Sequence, residues 1–303
     1  MHIAVLKRFF VHGVFWRQLL RWGVVRIPYF LQPIVMAGWS GIFLMMGKRE
    51  RSALRENLTL ILGKSWLTLS RAYLVFWNFG WSITEQARFK ELRGLVDWEF
   101  DGVEHLDRLV RSEEGAIVLT AHMGNYDLGA YLFAEKLKRQ LTMVRAPEID
   151  PETDRFESKE LKKIESANFV VGYSATSDSL AFELLDAIRA RHIVAIQGDR
   201  VTQGISTFPT TLFGRETDLP SGPFALAMAT HAWIYPLFVI RVGRRRYRVL
   251  TEEPFQCLRT GPDRDGDFAA AMERWRIILE RVITAHWMQW YMLEPIRERQ
   301  HVD

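Results

Sequence analysis

A histidine and an aspartate lie five residues apart, where the chain passes from an apolar run into a turn. His122 follows the run Ala116–Thr120, and Asp127 comes after Gly124 and Asn125. A histidine can act as a general base near neutral pH, and a carboxylate bonded to its other ring nitrogen would fix the tautomer. Asn125 or Asp127 could instead cap a helix that begins here. Taken alone, the pair favours capping over catalysis.

The elements around this pair predict an α/β fold with a largely parallel central sheet flanked by helices, because short apolar runs alternate with helical patterns. Hydrophobic residues recur at helical spacing over residues 50–95. We predict strands at 116–120, 141–145, 168–173, 193–197, 233–241 and 246–251, and helices at 126–138, 179–189 and 268–293. His122 would then lie at the carboxyl end of a strand, where parallel α/β sheets bind ligands.

Composition narrows the classes of partner. The 303 residues carry a net charge of +4 and are 48% hydrophobic, which suits a sizeable core and anionic partners such as lipid headgroups, acidic carrier proteins or coenzymes. The single cysteine, Cys257, excludes a disulfide framework or zinc ribbon within one chain. We expect no nucleic-acid partner, because the basic residues are scattered and no binding motif appears.

The N-terminal segment has the composition of a membrane anchor. Residues 27–47 contain no charged side chain, and the residues before them mix arginine with tryptophan, phenylalanine and leucine. We predict that residues 1–48 form a membrane-anchoring helical segment and that residues 49–303 form the α/β domain. Two alternatives stay open: a helix that spans the bilayer, and a hydrophobic helix packed on the domain.

The residues around His122 resemble a known motif. Thr120–Asp127 strongly resembles the HxxxxD motif of the lipid A biosynthesis (lauroyl/myristoyl) acyltransferase family, within the lysophospholipid and glycerolipid acyltransferase superfamily. That family usually reads His-x-Gly-Asn, then an aromatic residue and an acid, which are Tyr126 and Asp127 in this chain. Bacterial phosphatidylinositol mannoside acyltransferases share the pattern and favour aspartate.

Further segments carry the same resemblance, from about Arg49 to Arg297. They are Gln197–Arg200, Phe213–Gly214, Pro220–Ala227, Ala232–Pro236 and, more loosely, His286–Trp290. Three residues depart from the family pattern: Arg200 replaces a glutamine, Leu212 a phenylalanine and Trp233 a proline.

The resemblance implies an O-acyltransferase that moves a fatty acyl chain from acyl carrier protein or coenzyme A to a hydroxyl of a glycolipid or lipid A-like acceptor. His122 would be the general base and Asp127 its orienting acid, with backbone N–H groups in the oxyanion hole. No metal and no cofactor beyond the donor is expected. The expected substrate-binding residues are Gly124, Asn125, Arg145, Asp199, Arg200, Phe213 and Gly214.

The implied location is the bacterial inner (cytoplasmic) membrane, with the active domain facing the cytoplasm and in contact with the membrane surface. Two other functions remain open. One is a hydrolase that uses His122 and Asp127 to activate water on a lipid ester or phosphodiester. The other is a catalytically silent membrane-binding protein.

Overall fold

A computed structural model describes residues 18–19, 22–23, 26–87, 95–130, 139–145, 152, 155, 158–159, 168–173, 180–202 and 204–299. The α-helices with described bounds are α1 (Gln32–Met46), α2 (Lys48–Leu62), α3 (Thr68–Ala87), α4 (Val103–Arg111), α5 (Leu180–Arg189), α6 (Gly222–Thr230) and α7 (Arg264–Ala285), and short 3-10 helices cover Tyr29–Leu31 and Trp287–Gln289. The described strands are β1 (Asp97–Asp101), β2 (Ala116–Thr120), β3 (Leu141–Arg145), β4 (Phe169–Tyr173), β5 (Ile193–Gln197), β6 (Thr207–Leu212), β7 (Arg215–Pro220), β8 (Trp233–Gly243), β9 (Arg246–Thr251) and β10 (Phe255–Gln256).

A mostly parallel sheet forms the centre of the fold. Its order is β1-β9-β8-β2-β5-β3-β4, and β10 pairs with β8. Strand β2 runs parallel to both of its neighbours, β5 and β8, and β3 is parallel to β5 and β4. The carboxyl ends of β2, β5 and β3 therefore lie along one edge of the sheet. The α/β prediction with a largely parallel sheet is confirmed.

Alternate residues of each central strand enter different cores, because successive side chains of a strand point to opposite faces. Ile117 and Leu119 of β2 pack with helices α5, α6 and α7 on one face. Ala116 and Val118 pack on the other face with Leu109 of α4. Both faces of β2 are thus covered, which explains its continuous apolar sequence.

The N-terminal helices build a separate core. Helix α1 packs against α3 through Met36, Trp39 and Phe43, and Phe76 of α3 lies in the same cluster. Gly80 permits this close approach, since a Cβ there would lie 2.4 Å from Met36 Sδ. Part of the segment predicted as an anchor is therefore packed on the protein. Among the described residues, no helix has both the length and the apolar character needed to cross a bilayer.

Several predicted boundaries change. The predicted helix over 268–293 begins at Arg264 and ends at Ala285, and the chain after it runs beside the turn that follows β2: the Tyr291 N–H donates to the His122 carbonyl at 2.8 Å. The β6–β7 hairpin, strand β1, and helices α4 and α6 were not predicted. Residues 126–130 are helical as expected, and the rest of the predicted helix, 131–138, lies outside the described residues.

Candidate active site

His122 and Asp199 meet at the edge where two parallel strands end. His122 follows β2 and Asp199 follows β5, and the two strands are held in register by the pairing of Thr120 with Gln197. The Gly198 N–H continues this pairing by donating to the Thr120 carbonyl at 2.9 Å. His122 Nδ1 consequently lies 2.7 Å from Asp199 Oδ1, and the His122 backbone N–H donates to Asp199 Oδ2 at 3.0 Å.

The Asp199 carboxylate is fully buried but well supplied with donors. Its side chain is 0% exposed, and the Trp290 indole Nε1–H donates to Oδ2 at 2.9 Å. Burial raises the pKa of Asp199, but the charge of His122 and the hydrogen bonds from His122 and Trp290 outweigh it, so the pKa lies below its usual value. An ionised Asp199 accepts a hydrogen bond from the Nδ1–H of His122. This contact favours the neutral tautomer of His122 whose lone pair is on Nε2.

Asp127 has other partners. Its Oδ2 accepts a hydrogen bond from Gln86 Nε2 at 2.7 Å, and its Oδ1 lies 3.2 Å from Arg145 Nη1 at the end of β3. The turn at Gly124 therefore brings Asp127 to Gln86 and Arg145, and the carboxylate on the His122 ring is Asp199. The orienting role predicted for Asp127 and the substrate-binding role predicted for Asp199 both stay predictions, and the described hydrogen bond on the His122 ring is made by Asp199.

Gly124 and Asn125 shape the turn that carries His122. Gly124 has φ +61°, and a Cβ there would lie 1.8 Å from the Val239 carbonyl oxygen, so only glycine fits. Asn125 Oδ1 accepts from the Leu128 N–H at 3.3 Å, which agrees with the capping role considered for it. Its Nδ2 donates to the Tyr247 hydroxyl at 3.1 Å. Their predicted part in substrate binding stays a prediction.

A buried polar cluster lies between helix α3 and this turn and stabilises the turn. Glu85 of α3 accepts from the Tyr247 hydroxyl and from Arg241 Nε at 3.1 Å. Burial and the neighbouring Glu85 charge raise the pKa of Tyr247 well above its usual value. Ser82, also on α3, donates to the Gly124 carbonyl at 2.9 Å. Helix α3 therefore fixes the His122 turn through hydrogen bonds that cross from the N-terminal helices to the sheet.

The remaining predicted residues lie around this edge. Arg200 follows Asp199, and among the described residues its buried Nε has no hydrogen-bond partner. Phe213 and Gly214 form the β6–β7 turn, with φ of +51° and +75°. The Phe213 ring centroid lies 6.2 Å from that of Trp290, which brings this turn towards the carboxylate of Asp199.

Two residues of the site were missed as functional candidates. Trp290 belongs to the segment near the C-terminus that matches the family pattern loosely. Its position in that segment was the feature of the sequence that could have marked Trp290 as a site residue. Tyr126 is the aromatic residue of the motif; its ring centroid lies 5.9 Å from that of His122. Burial raises the pKa of Tyr126 to about 12, so the phenol stays neutral at physiological pH.

An apolar cavity adjoins the site. It is lined by Val118, Met143 and Leu237, and its polar margin includes Tyr126 and Arg145. Its volume is about 40 Å³, so a long hydrocarbon chain would enter only if its walls moved. Within the described ranges, no cluster of three histidine, cysteine, aspartate or glutamate residues is placed to hold a metal ion.

Comparison with known proteins gives one family. The family model described as "Bacterial lipid A biosynthesis acyltransferase" matches residues 6–296. A phosphatidylinositol mannoside acyltransferase of Mycobacterium tuberculosis (strain CDC 1551 / Oshkosh) is 25% identical over 294 residues, which cover 92% of this chain and 87% of that protein. Another protein of that name, from strain ATCC 25618 / H37Rv, is 26% identical over 211 residues. These residues cover 68% of this chain and 62% of the length of that relative.

Proposed function

Because the chain belongs to the bacterial lipid A biosynthesis acyltransferase family, we propose that it transfers a fatty acyl chain from a thioester to a hydroxyl group of a membrane glycolipid, with His122 as the general base. The observation that carries the proposal is the hydrogen bond between His122 Nδ1 and the buried Asp199 carboxylate. It leaves Nε2 as the basic nitrogen of a histidine whose side chain is 15% exposed. The ring is thus held in place and still accessible to a substrate.

The proposed reaction has two bond changes at the thioester carbonyl. His122 Nε2 removes the proton of the acceptor hydroxyl as its oxygen attacks the carbonyl carbon. Asp199 stabilises the imidazolium that forms, as in other histidine–carboxylate pairs. The tetrahedral intermediate then expels the thiolate, which takes the proton from His122. An ester and a free thiol result, and no acyl-enzyme is needed.

The proposed donor is a thioester of coenzyme A or acyl carrier protein, whose phosphate would need a cation near the site. Arg145 is already paired with Asp127, and that pair would have to open before Arg145 bound a phosphate fully. Arg200 has a buried Nε without a partner among the described residues and adjoins Asp199 directly. We therefore propose that Arg200 is the cation that binds the donor phosphate, while Arg145 stays paired with Asp127.

The proposed acceptor is a glycolipid, because the family description names lipid A and both curated relatives are named for phosphatidylinositol mannoside. Such a lipid requires contact with a membrane. Apolar side chains of the N-terminal region are exposed, including Phe30 (75%), just before α1, and Trp66 (90%), in the turn between α2 and α3. Arg26 lies over the Trp22 ring at 5.0 Å, a pairing that suits the bilayer interface. We place this surface on the inner membrane, with the strand-end site facing the cytoplasm where thioester donors occur.

The test supplies the purified chain with an acyl thioester, with and without glycolipid vesicles, and follows both thiol release and the acylated lipid by mass spectrometry. Acylated lipid that depends on both substrates and is lost in His122→Ala supports the proposal. Thiol release that is independent of acceptor would instead assign a hydrolase. Acylation that persists in His122→Ala would remove His122 from the mechanism, and no turnover of any tested thioester would favour a silent membrane-binding protein.

A further inference from the structure

A second cavity lies among the N-terminal helices rather than at the strand ends. It has a volume of about 200 Å³ and is lined by Trp22, Ile27, Val35, Met36, Trp39 and Thr84, among others. An engineered apolar cavity of roughly 150 Å³ in another protein binds benzene. The cavity beside α1 and α3 is therefore large enough for several carbons of a hydrocarbon chain.

Two residues of its wall carry a buried polar atom for which the described residues supply no hydrogen-bond partner. Trp39 and Thr84 are 6% and 2% exposed, and among the described residues neither Trp39 Nε1 nor Thr84 Oγ1 has a hydrogen-bond partner. The Trp39 benzo edge packs at Gly80, so the Nε1 edge of the indole points away from that contact. Buried donors without partners are rare and costly in folded proteins. An acceptor oxygen of a bound molecule that came within hydrogen-bond distance of these atoms would satisfy them.

The composition of the wall defines the ligand. No charged side chain lines the cavity within the described residues, so an ionised head group would not be compensated inside it. Trp22 and Val35 also face outward, being 55% and 44% exposed, on the surface that Ile34 extends. An apolar molecule could pass from a bilayer at this surface into the cavity.

We propose that this cavity binds a fatty acyl chain of a bilayer phospholipid, with the ester carbonyl oxygen accepting hydrogen bonds from Trp39 Nε1 and Thr84 Oγ1. The site shares no lining residue with the cavity beside His122. Helix α3 links the two regions, since Ser82 and Gln86 on the same helix bond to Gly124 and Asp127. A lipid bound here would pack against the helix that supports the His122 turn.

The test uses the full chain and phosphatidylcholine vesicles that contain a phosphatidylcholine with a diazirine near the ester end of one acyl chain, without any thioester. After illumination, labelled residues are mapped by mass spectrometry. We expect labels at Met36, Trp39 and Thr84, and separately on the exposed surface at Met45. Thr84→Val keeps the shape and removes the hydroxyl, and we expect it to lower the cavity labels about fivefold and to leave Met45 labelled as before.

Thr251→Val is the matched control, because Thr251 is another buried threonine whose Oγ1 lacks a partner among the described residues. It should label like the unaltered chain. A parallel arm uses a diazirine fatty acid; stronger cavity labelling by it than by the phospholipid would overturn the phospholipid source. Labels confined to Met45, or equal cavity labelling in Thr84→Val and the unaltered chain with both folded by circular dichroism, would overturn the site itself. His122→Ala should label normally, so this test is independent of the proposed catalysis.

Discussion

Asp199→Asn is the sharpest perturbation of the site, because the Asp199 carboxylate accepts three hydrogen bonds. Oδ1 takes the His122 Nδ1–H, and Oδ2 takes both the His122 backbone N–H and the Trp290 indole N–H. An asparagine has only one acceptor oxygen. If that oxygen occupies the Oδ2 position, it keeps two of these bonds and its amide nitrogen faces Nδ1. The opposite orientation would set the amide against two N–H donors.

The favoured orientation therefore forces the wrong tautomer on His122. An amide N–H that faces Nδ1 requires the lone pair there, so the His122 proton moves to Nε2 and the base is lost. The equivalent change in the serine protease triad lowers kcat about 10⁴-fold through the same loss of tautomer. We expect a fall of about 10³- to 10⁴-fold in kcat, which corresponds to about 4–5.5 kcal/mol of transition-state stabilisation. KM should change little, since the described hydrogen bonds of Asp199 are with His122 and Trp290 and its side chain is 0% exposed.

The assay is steady-state thiol release and lipid acylation by Asp199→Asn, with Asp127→Asn as the comparison. Asp127 bonds to Gln86 and Arg145, so its amide variant should act mainly on KM and stability and retain far more of kcat. A kcat for Asp199→Asn within tenfold of the unaltered chain would refute this reasoning. So would a larger loss of kcat in Asp127→Asn, which would return the orienting role to Asp127.

Three further predictions follow from the same contacts. Trp290→Phe removes one donor from Asp199 and should lower kcat about tenfold at constant KM, whereas Trp66→Phe, at a side chain 90% exposed, should not change kcat in detergent. Gly124→Ala places a Cβ 1.8 Å from the Val239 carbonyl oxygen on a residue with φ +61°. We expect it to reduce the free energy of unfolding, measured by urea titration, by about 2–4 kcal/mol. The control Gly41→Ala should not reduce it, because a Cβ at Gly41 meets nothing within 4 Å. Because the pKa of Asp199 is lowered in the folded state, ionised Asp199 stabilises the fold above its unfolded pKa, and this stabilisation is lost as pH falls through its folded pKa. The midpoint of urea unfolding should therefore fall at acid pH in the unaltered chain. It should fall less in Asp199→Asn.

The local parts of the site could be predicted from the sequence, and the pairing of its residues could not. The apolar run of β2 and the turn at Gly124 placed His122 correctly, because both depend on neighbouring residues. The partner of His122 depends on strand order: β5 lies beside β2 although Asp199 is 77 residues beyond His122. Trp290 is 91 residues from Asp199 and reaches it only because α7 ends at Ala285. A periodic pattern contains no information on either contact.

The two acids near His122 can be assigned different tasks from the strands that they join. Asp199 connects the ends of β2 and β5 through His122, and Asp127 connects the turn after β2 to the end of β3 through Arg145. Both carboxylates are buried, and each lies next to a nitrogen that is or can become cationic. Between these two acids, Asp199 is the one that contacts the ring of His122, the proposed general base. The spacing of five residues within the motif therefore reflects the span from a strand end to the first turn of a helix, and the carboxylate that would orient His122 in the proposed reaction follows the neighbouring strand.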